Sequence, residues 1–506
     1  MSAFRRVLLA SLALSTLGAA HAPAAPAAPS PSAAIRAALP PFLAGGSRPA
    51  LRRTVADFYA RRGYSPVWTD AGGLTARGRA LESVLRDAPA DGLDVMAIPA
   101  DPAALDLALS RGAALYAWEA AGGRVDPTKV GALIDYRPNP PRFDVALASV
   151  VASREPAAAL RTYLPTRPDY VRLRDALASA RARAKGDLPA IADGPTLRVG
   201  DRDPAVAVLR ARLGAPAPVD LPAQVFDETL ARRLAAYQRE RRLAPTGALD
   251  PRTREALDGD RRGPTIRAIV ASMEMLRWTP RPPATDGVEV NVPEYRLRVR
   301  KAGATVDRQR VAVGAAATPT PLFASSIRYA IFNPTWFVPQ SIVRRDIAPK
   351  LAADPGYLHK AGFVGGRRGG YLAVSQPPGP DNALGRVAYM LPNRHLVFFH
   401  DSPDRALLAT VPRALSHGCV RLSHPFAMAA FAFGGMPGWS AERARALIGA
   451  REQSVVAHRQ LSVEIIYLAA RVDAAGRLRR FADVYGYQAR VEALLDGDRT
   501  SRDDQS

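Results

Sequence analysis

Val288-Glu289-Val290-Asn291-Val292 and Tyr295-Arg296-Leu297-Arg298-Val299 alternate apolar and polar side chains, and Lys301-Ala302-Gly303 follows as a turn. A period of two places successive side chains on opposite faces, so each run predicts a half-buried β-strand. Val311-Ala312-Val313 returns as a partner strand, and Ile327, Tyr329 and Ile331 mark another. Val387 to Leu391 and Leu396 to Phe399 add two more. Short strands punctuated by Gly and Pro predict a mainly-β domain over 286–455, of the twisted β-sandwich kind. Residues 341–375 interrupt it: Ile342 to Leu351 has helical spacing, and 362–370 is rich in Gly and Arg. An insertion this long in a sheet domain is usually functional. Its Gly365-Gly366 and Gly369-Gly370 pairs read as hinges of a lid, and Arg344, Arg345, Arg367 and Arg368 as carboxylate binders.

Upstream the period is helical. Val55, Phe58 and Tyr59, and Leu81, Val84 and Leu85, fall at i, i+3, i+4 within a region from 34 to 185 that reads as a helical scaffold domain. Residues 194–258 predict a small three-helix unit. Asp203-Pro204 and Asp250-Pro251 each offer an N-cap followed by a first-turn proline. The stripes Val206, Leu209, Leu213 and Phe226, Leu230, Leu234, Tyr237 supply its core. The chain is therefore predicted to be multidomain α+β, with 456–506 as a C-terminal extension.

Residues 1–24 have a basic start at Arg5-Arg6, an apolar run from Val7 to Leu17 and a small-residue exit near Ala20 to Ala24. This is the layout of a secretory signal peptide, with an uncleaved anchor as the alternative. An Ala/Pro/Ser linker over 25–33 follows. The expected location is the periplasm, with no membrane span in the mature chain. The 69 basic and 47 acidic residues give a net charge of +22, which suits anionic partners. In a secreted protein, peptidoglycan stems and other anionic envelope polymers fit that charge better than nucleic acid does.

Cys419 is the single cysteine, so it is either a buried small hydrophobe or a reactive thiol. It lies in Ser416-His417-Gly418-Cys419-Val420-Arg421, where Arg421 or a protonated histidine would lower the thiol pKa. Gly418 permits close backbone approach and backbone donors to an oxyanion. Four of the seven histidines, His395, His400, His417 and His424, lie near Cys419 in sequence. His417 is side by side with the thiol, His424 is placed to cap a helix, and His400 ends an apolar run that delivers it to a sheet edge. His400 leads as the base on this reading. No His-Glu-x-x-His pattern is present, and a lone cysteine makes few zinc geometries, so neither metal nor other cofactor is expected.

His400-Asp401-Ser402-Pro403 followed by Ser416-His417-Gly418-Cys419-Val420-Arg421 resembles the signature of the YkuD-type L,D-transpeptidases. Pro378 to Gly385, Asn333 to Pro339, Tyr357-Leu358, Asn291-Val292-Pro293, and Phe58-Tyr59 with Trp68 resemble the large periplasmic branch of that family. Leu197 to Leu257 resembles a peptidoglycan-binding module, departing from its usual Gly-Leu-x-x-Asp-Gly at Arg242 to Gly247. The resemblance implies a cysteine-dependent acyltransferase of cell-wall biogenesis or degradation and cell shape, acting on peptidoglycan stem peptides and glycan. Envelope protein partners are also possible in such a family. Cys419 is implied as nucleophile and His400 as base, with a backbone carbonyl as orienting group. His417, Gly418 and Cys419 are implied as oxyanion donors, Ser416 and Arg421 as loop or substrate contacts, and 341–375 as a substrate-capping subdomain. Hydrolysis of the same acyl-enzyme (L,D-carboxypeptidase or amidase) and a non-catalytic cell-wall scaffold are the competing functions.

Overall fold

The structure, a computed structural model, describes residues 30–45, 48–93, 99–184, 191, 194–240, 243–259 and 264–503. The expected secretion signal and most of the expected linker lie outside the described residues. The end of that linker is helical rather than coil. Ser30 Oγ accepts the Ala33 N–H at 3.3 Å and Pro31 occupies the first turn of helix Pro31–Ala44. Ser-Pro is itself an N-terminal helix signal, and it overrides the linker composition.

In the helical region, Asp106 of helix Pro102–Gly122 is fully buried. Its carboxylate accepts the backbone N–H groups of Val67, Trp68 and Thr69, and the hydroxyls of Tyr59 and Thr69. Ser110, one turn along, accepts Trp68 Nε1 at 2.8 Å and meets the Tyr59 hydroxyl at 2.7 Å. A carboxylate stripped of water needs this many donors. The network fixes the chain entering the small ladder of β1 (Thr69–Asp70) and β2 (Gly73–Leu74).

The 194–258 unit has its own core of Leu197, Val206, Leu209, Phe226, Leu230, Leu234, Leu249 and Leu257. Both expected N-caps are present: Asp203 accepts the Ala205 N–H and Asp250 the Thr253 N–H, each at 2.7 Å. Buried Gln238 accepts the Gly247 N–H at 2.8 Å and donates to Ala248 O at 2.9 Å, which shapes the described part of the divergent turn.

The mainly-β region consists of β3 (Gly287–Asn291), β4 (Arg296–Lys301), β5 (Ala304–Gly314), β6 (Ala324–Phe332), β10 (Val387–Met390), β11 (Phe399–His400), β12 (Ala414–Ser416), β13 (Val420–Leu422) and β14 (Gln453–Ile466). They form one sheet in the order β12-β5-β13-β11-β10-β6-β14-β3-β4, with β5 also pairing β4. The first part of β5 pairs with β4 and its end with β13 and β12. This shared strand joins the two ends of the sheet, so the strands close on themselves rather than forming two unconnected layers.

Two sequence expectations are corrected here. The mainly-β domain does not end at 455: β14 crosses that point and is an interior strand between β6 and β3. The segment beyond it is no appendage either. The Leu468 N–H donates to Asn291 Oδ1 at 2.8 Å and its carbonyl accepts from Asn291 Nδ2 at 3.1 Å, and the Ala470 N–H donates to Ser272 Oγ at 3.1 Å. A short ladder, β15 (Ala470–Val472) with β16 (Leu478–Arg480), follows. Secondly, β3 was expected to be half-buried, yet it is buried along its whole length, Glu289 and Asn291 included. The scaffold and the C-terminal segment cover its polar face, and the apolar core is continuous from Trp68 through helix Pro264–Arg277 to β3 and β14.

The covered polar face carries two carboxylates in direct opposition: Glu289 and Glu464 are partners on the adjacent parallel strands β3 and β14. Arg167, from the scaffold, reaches Glu464 at 2.7 Å and Glu289 at 3.0 Å. Arg471 reaches Glu289 at 2.6 Å and Asp169 at 2.8 Å, and Arg300 reaches Glu289 at 3.1 Å. Burial alone would raise the Glu289 pKa, but Arg471, Arg300 and Arg167 hold it far below the usual carboxylate range.

The insertion folds as a unit of its own. A three-stranded sheet of β7 (Trp336–Phe337), β9 (Tyr371–Gln376) and β8 (Val364–Arg368) packs around Val338, Val343, Ile347 and Val374. Its helical stretch contains a π-turn at Val343–Ile347. The expected glycine hinges are not hinges: Gly365 and Gly366 are paired residues of β8, and Gly369 and Gly370, both at positive φ, form the β8–β9 hairpin turn.

Removing one member of a buried ion network leaves an uncompensated charge, which costs about 3–5 kcal/mol. Arg167→Ala is therefore expected to lower unfolding free energy by about that amount in a denaturant titration. Because Glu289 is depressed in the folded state, its contribution is fully present above its unfolded pKa of about 4.3. It is lost as pH falls below that value. The variant should accordingly lose less stability on acidification from pH 5 than the parent chain does.

Candidate active site

β11 and β13 run parallel with Phe399 opposite Val420 and His400 opposite Arg421, and the Val420 N–H donates to Phe398 O at 3.2 Å. Alternation divides their side chains. Phe399, Val420 and Leu422 are fully buried in the core. Phe398, His400, Cys419 and Arg421 occupy the opposite face, which makes Cys419 and His400 diagonal neighbours across the strand pair. The Phe398 and His400 rings lie 5.7 Å apart.

The loop before Cys419 is held from within and from behind. Gly418 has φ +115°, a conformation that side-chain-bearing residues rarely adopt. Its N–H donates to Ser416 Oγ at 3.1 Å, and Ser416 Oγ donates to Cys419 O. Thr320 Oγ1 donates to Gly418 O and accepts the Gly314 N–H, both at 2.8 Å. Tyr485, from the C-terminal segment, accepts the Thr320 N–H at 3.1 Å and donates to Gly314 O at 2.7 Å. The Gly418 N–H is thus engaged within the loop. Ser416 is a staple within the loop.

His400 sits over the motif at 378–385. Asn382 Nδ2 donates to the carbonyls of Pro334, Gln376 and Pro377, and its Oδ1 accepts the Leu384 N–H at 2.8 Å. Gly385 has φ +67°, and a Cβ there would lie 2.6 Å from Asp401. Burial, aided by Arg421, pushes the His400 pKa down to about 4, against the backbone of Asp401 and Leu384. Burial raises the Cys419 thiol above its ordinary value, and the Phe398 backbone and Arg421 offset this only in part. The sequence expectation of a thiol lowered by neighbouring cations is therefore reversed: at neutral pH both groups are uncharged. Burial also lowers the Arg421 pKa.

The remaining histidines are placed elsewhere. His395 Nε2 bonds Asp135 of the scaffold at 2.7 Å, beside Arg394. His424 stands at the N-cap of helix Pro425–Ala432 without a side-chain capping bond, with Nδ1 3.2 Å from Ser423 Oγ. His417 Nε2 meets Asp346 Oδ2 of the insertion at 3.1 Å, so the loop before Cys419 and the π-turn touch. Asp346, Thr320 and Tyr485 were not singled out in the sequence; each lies far from Cys419 along the chain and lacks a motif. Among the described residues no cluster of His, Cys, Asp and Glu could hold a metal ion, and no helix is long and apolar enough to cross a bilayer.

Residues 285–436 match the family model described as the L,D-transpeptidase catalytic domain, YkuD. The chain carries a YkuD L,D-transpeptidase catalytic domain. Upstream of it, residues 53–177 match a scaffold domain and 204–257 a "Putative peptidoglycan binding domain". A Haemophilus influenzae protein named "Putative L,D-transpeptidase" is 26% identical over 223 residues, which is 41% of this chain and 45% of that protein. The chain thus spans less than half the length of this relative. An L,D-transpeptidase structure from Xylanimonas cellulosilytica is 16% identical, covers 54% of this chain and 98% of that one, and has a TM-score of 0.19. One from Mycobacterium smegmatis is 12% identical, with 36% and 58% covered and a TM-score of 0.20. The assignment of the YkuD domain rests on the family model.

The pKa directions fix an expected pH behaviour of the YkuD site. Iodoacetamide alkylation of Cys419, which needs the thiolate, should be slow at pH 7 and rise only in the alkaline range. Acylation assisted by neutral His400 should stay level through neutral pH and fall as pH drops through about 4. Rapid alkylation at pH 7, with an acid limb near the ordinary histidine value, would instead reveal a preformed thiolate–imidazolium pair.

Proposed function

We propose that the YkuD domain is a cysteine L,D-transpeptidase that cross-links peptidoglycan, with Cys419 as nucleophile and His400 as base. The observation that carries this reading is the placement of Cys419 and a neutral, buried His400 on one face of the β11–β13 pair, opposite the core. Cys419 Sγ attacks the carbonyl carbon of the third residue of a donor stem while its proton passes to His400. The tetrahedral oxyanion meets the backbone N–H groups of His417 and Cys419. The amide C–N bond to terminal D-alanine breaks, and the departing amine takes the proton from His400. An acceptor amine then gives its proton to His400, forms the new amide and releases the thiol. With both groups neutral, proton transfer and attack are coupled, as in other base-assisted nucleophiles.

Arg421 lies against both reacting groups, where its charge favours the thiolate as it forms and disfavours premature protonation of His400. The 341–375 insertion acts as a cap on the donor stem, tethered through Asp346 and His417. A cap that excludes water favours the amine over hydrolysis, and muropeptide analysis of treated sacculi separates transpeptidation from L,D-carboxypeptidase or amidase action. The 194–258 unit holds the enzyme on glycan, and the site of action is the periplasm.

Intact-mass analysis after carbapenem treatment should show one adduct, absent in Cys419→Ala. His400→Ala should slow acylation about 10²–10⁴-fold, while His395→Ala and His424→Ala leave it close to the parent rate. An adduct persisting in Cys419→Ala, or equal losses at the three histidines, would defeat the assignment.

Deleting 194–258 should reduce co-sedimentation with purified sacculi at moderate salt. Unchanged sedimentation would make this unit a spacer.

A further inference from the structure

The β4–β5 hairpin carries an arrangement that the transpeptidase reading does not use. Its register sets Arg296 directly opposite Arg310 and Arg298 directly opposite Arg308. Like charges opposed across a ladder are some 4.5–5.5 Å apart at Cβ and destabilise the pair. The apolar residues between them, Leu297 and Val299, are buried, so the arginines share the opposite face. Arg296, Arg298, Arg300 and Arg308 of that face line a cavity of about 800 Å3, completed by Arg413, Arg471 to Asp473 and Arg479.

The carboxylates around this cavity are committed. Asp169 binds Arg172 and Arg471, Glu294 binds Arg298, and Asp473 binds Arg477 and the turn's own N–H groups. By contrast Arg296, Arg308, Arg310 and Arg479 have no carboxylate partner among the described residues. Arg413 is buried and donates only to the carbonyls of Val311, Thr410 and Tyr295. Burial lowers its pKa, and Arg296 and Arg310 lower it further, which places three guanidinium groups within one another's field. Of the opposed arginines, only Arg298 is answered by a carboxylate among the described residues, which leaves Arg296, Arg308 and Arg310 poised to take anionic groups from outside.

We propose that this cavity binds a ligand bearing two or more phosphate groups. One group is held between Arg296 and Arg413, and a second between Arg308 and Arg479. Guanidinium forks match phosphate oxygens in a bidentate manner, and a single group between Arg296 and Arg413 would leave Arg308 and Arg479 without an anion. The cavity is distinct from the catalytic face. Arg413 nevertheless immediately precedes β12, which leads into the Ser416–Cys419 loop.

The test is isothermal titration of the full chain with inorganic diphosphate and tripolyphosphate, beside flotation with phosphatidylcholine vesicles with and without phosphatidic acid. The parent chain should bind tripolyphosphate more tightly than diphosphate, and inorganic phosphate weakly. Arg296→Gln/Arg308→Gln should weaken binding by at least about tenfold, with its thermal midpoint unchanged or raised by relief of the opposed charges. Binding of vesicles as well as soluble phosphates, both lost in that variant, supports a lipid headgroup as the source. Binding of soluble phosphates alone supports a free ligand. Arg53→Gln/Arg61→Gln removes the same charge at exposed positions outside the cavity. An equal loss in that control, or no binding by the parent chain, overturns the proposal.

Discussion

Arg167 is the tie on which the rest of the architecture depends. Two carboxylates placed opposite one another on adjacent strands, with both faces of the sheet covered, repel and have lost their water. Arg167 answers both from the scaffold, Arg471 answers one from beyond the last sheet strand, and Arg300 answers from β4. The network thereby joins the scaffold, the sheet strands and the C-terminal segment. Apolar residues of similar volume would hold such an interface about as well, so the ionic network contributes register and partner choice more than net stability.

The site inherits its rigidity from the same assembly. Tyr485 arrives with the segment anchored by Arg471 and Ala470, and grips Gly314 and Thr320; Thr320 in turn holds Gly418. On the other side, Asn382 gathers three carbonyls and sets the turn beneath His400. Neither Tyr485 nor Asn382 belongs to the face that carries Cys419 and His400. Both fix the backbone that presents it, which is how a diagonal strand pair becomes a reproducible constellation.

Burial on this face also sets the chemical character of the pair. A cysteine beside Arg421 and histidines looks, in one dimension, like a low-pKa thiol. In three dimensions desolvation exceeds the influence of Arg421 on Cys419, and on His400 the two act together. The result is a neutral thiol and a neutral imidazole. A thiol in that state resists adventitious oxidation and alkylation.

Much of this was written in the sequence. Period-two alternation located β3, β4, β6 and β10, Asp-Pro pairs located the helix starts of the 194–258 unit, and one cysteine with clustered histidines pointed to the β11–β13 face. These are local signals: side-chain alternation, capping and composition are set by neighbours in the chain. Tertiary structure decided the rest. Glu289 and Asn291 read as a solvent face because alternation cannot tell water from a covering scaffold. The boundary at 455 failed because β14 is continuous through it. The glycine pairs of the insertion read as hinges, whereas strand pairing had fixed one and a hairpin turn had used the other. The cover over Glu289 and its counter-charges come from segments distant in the chain, and sequence spacing does not encode that distance.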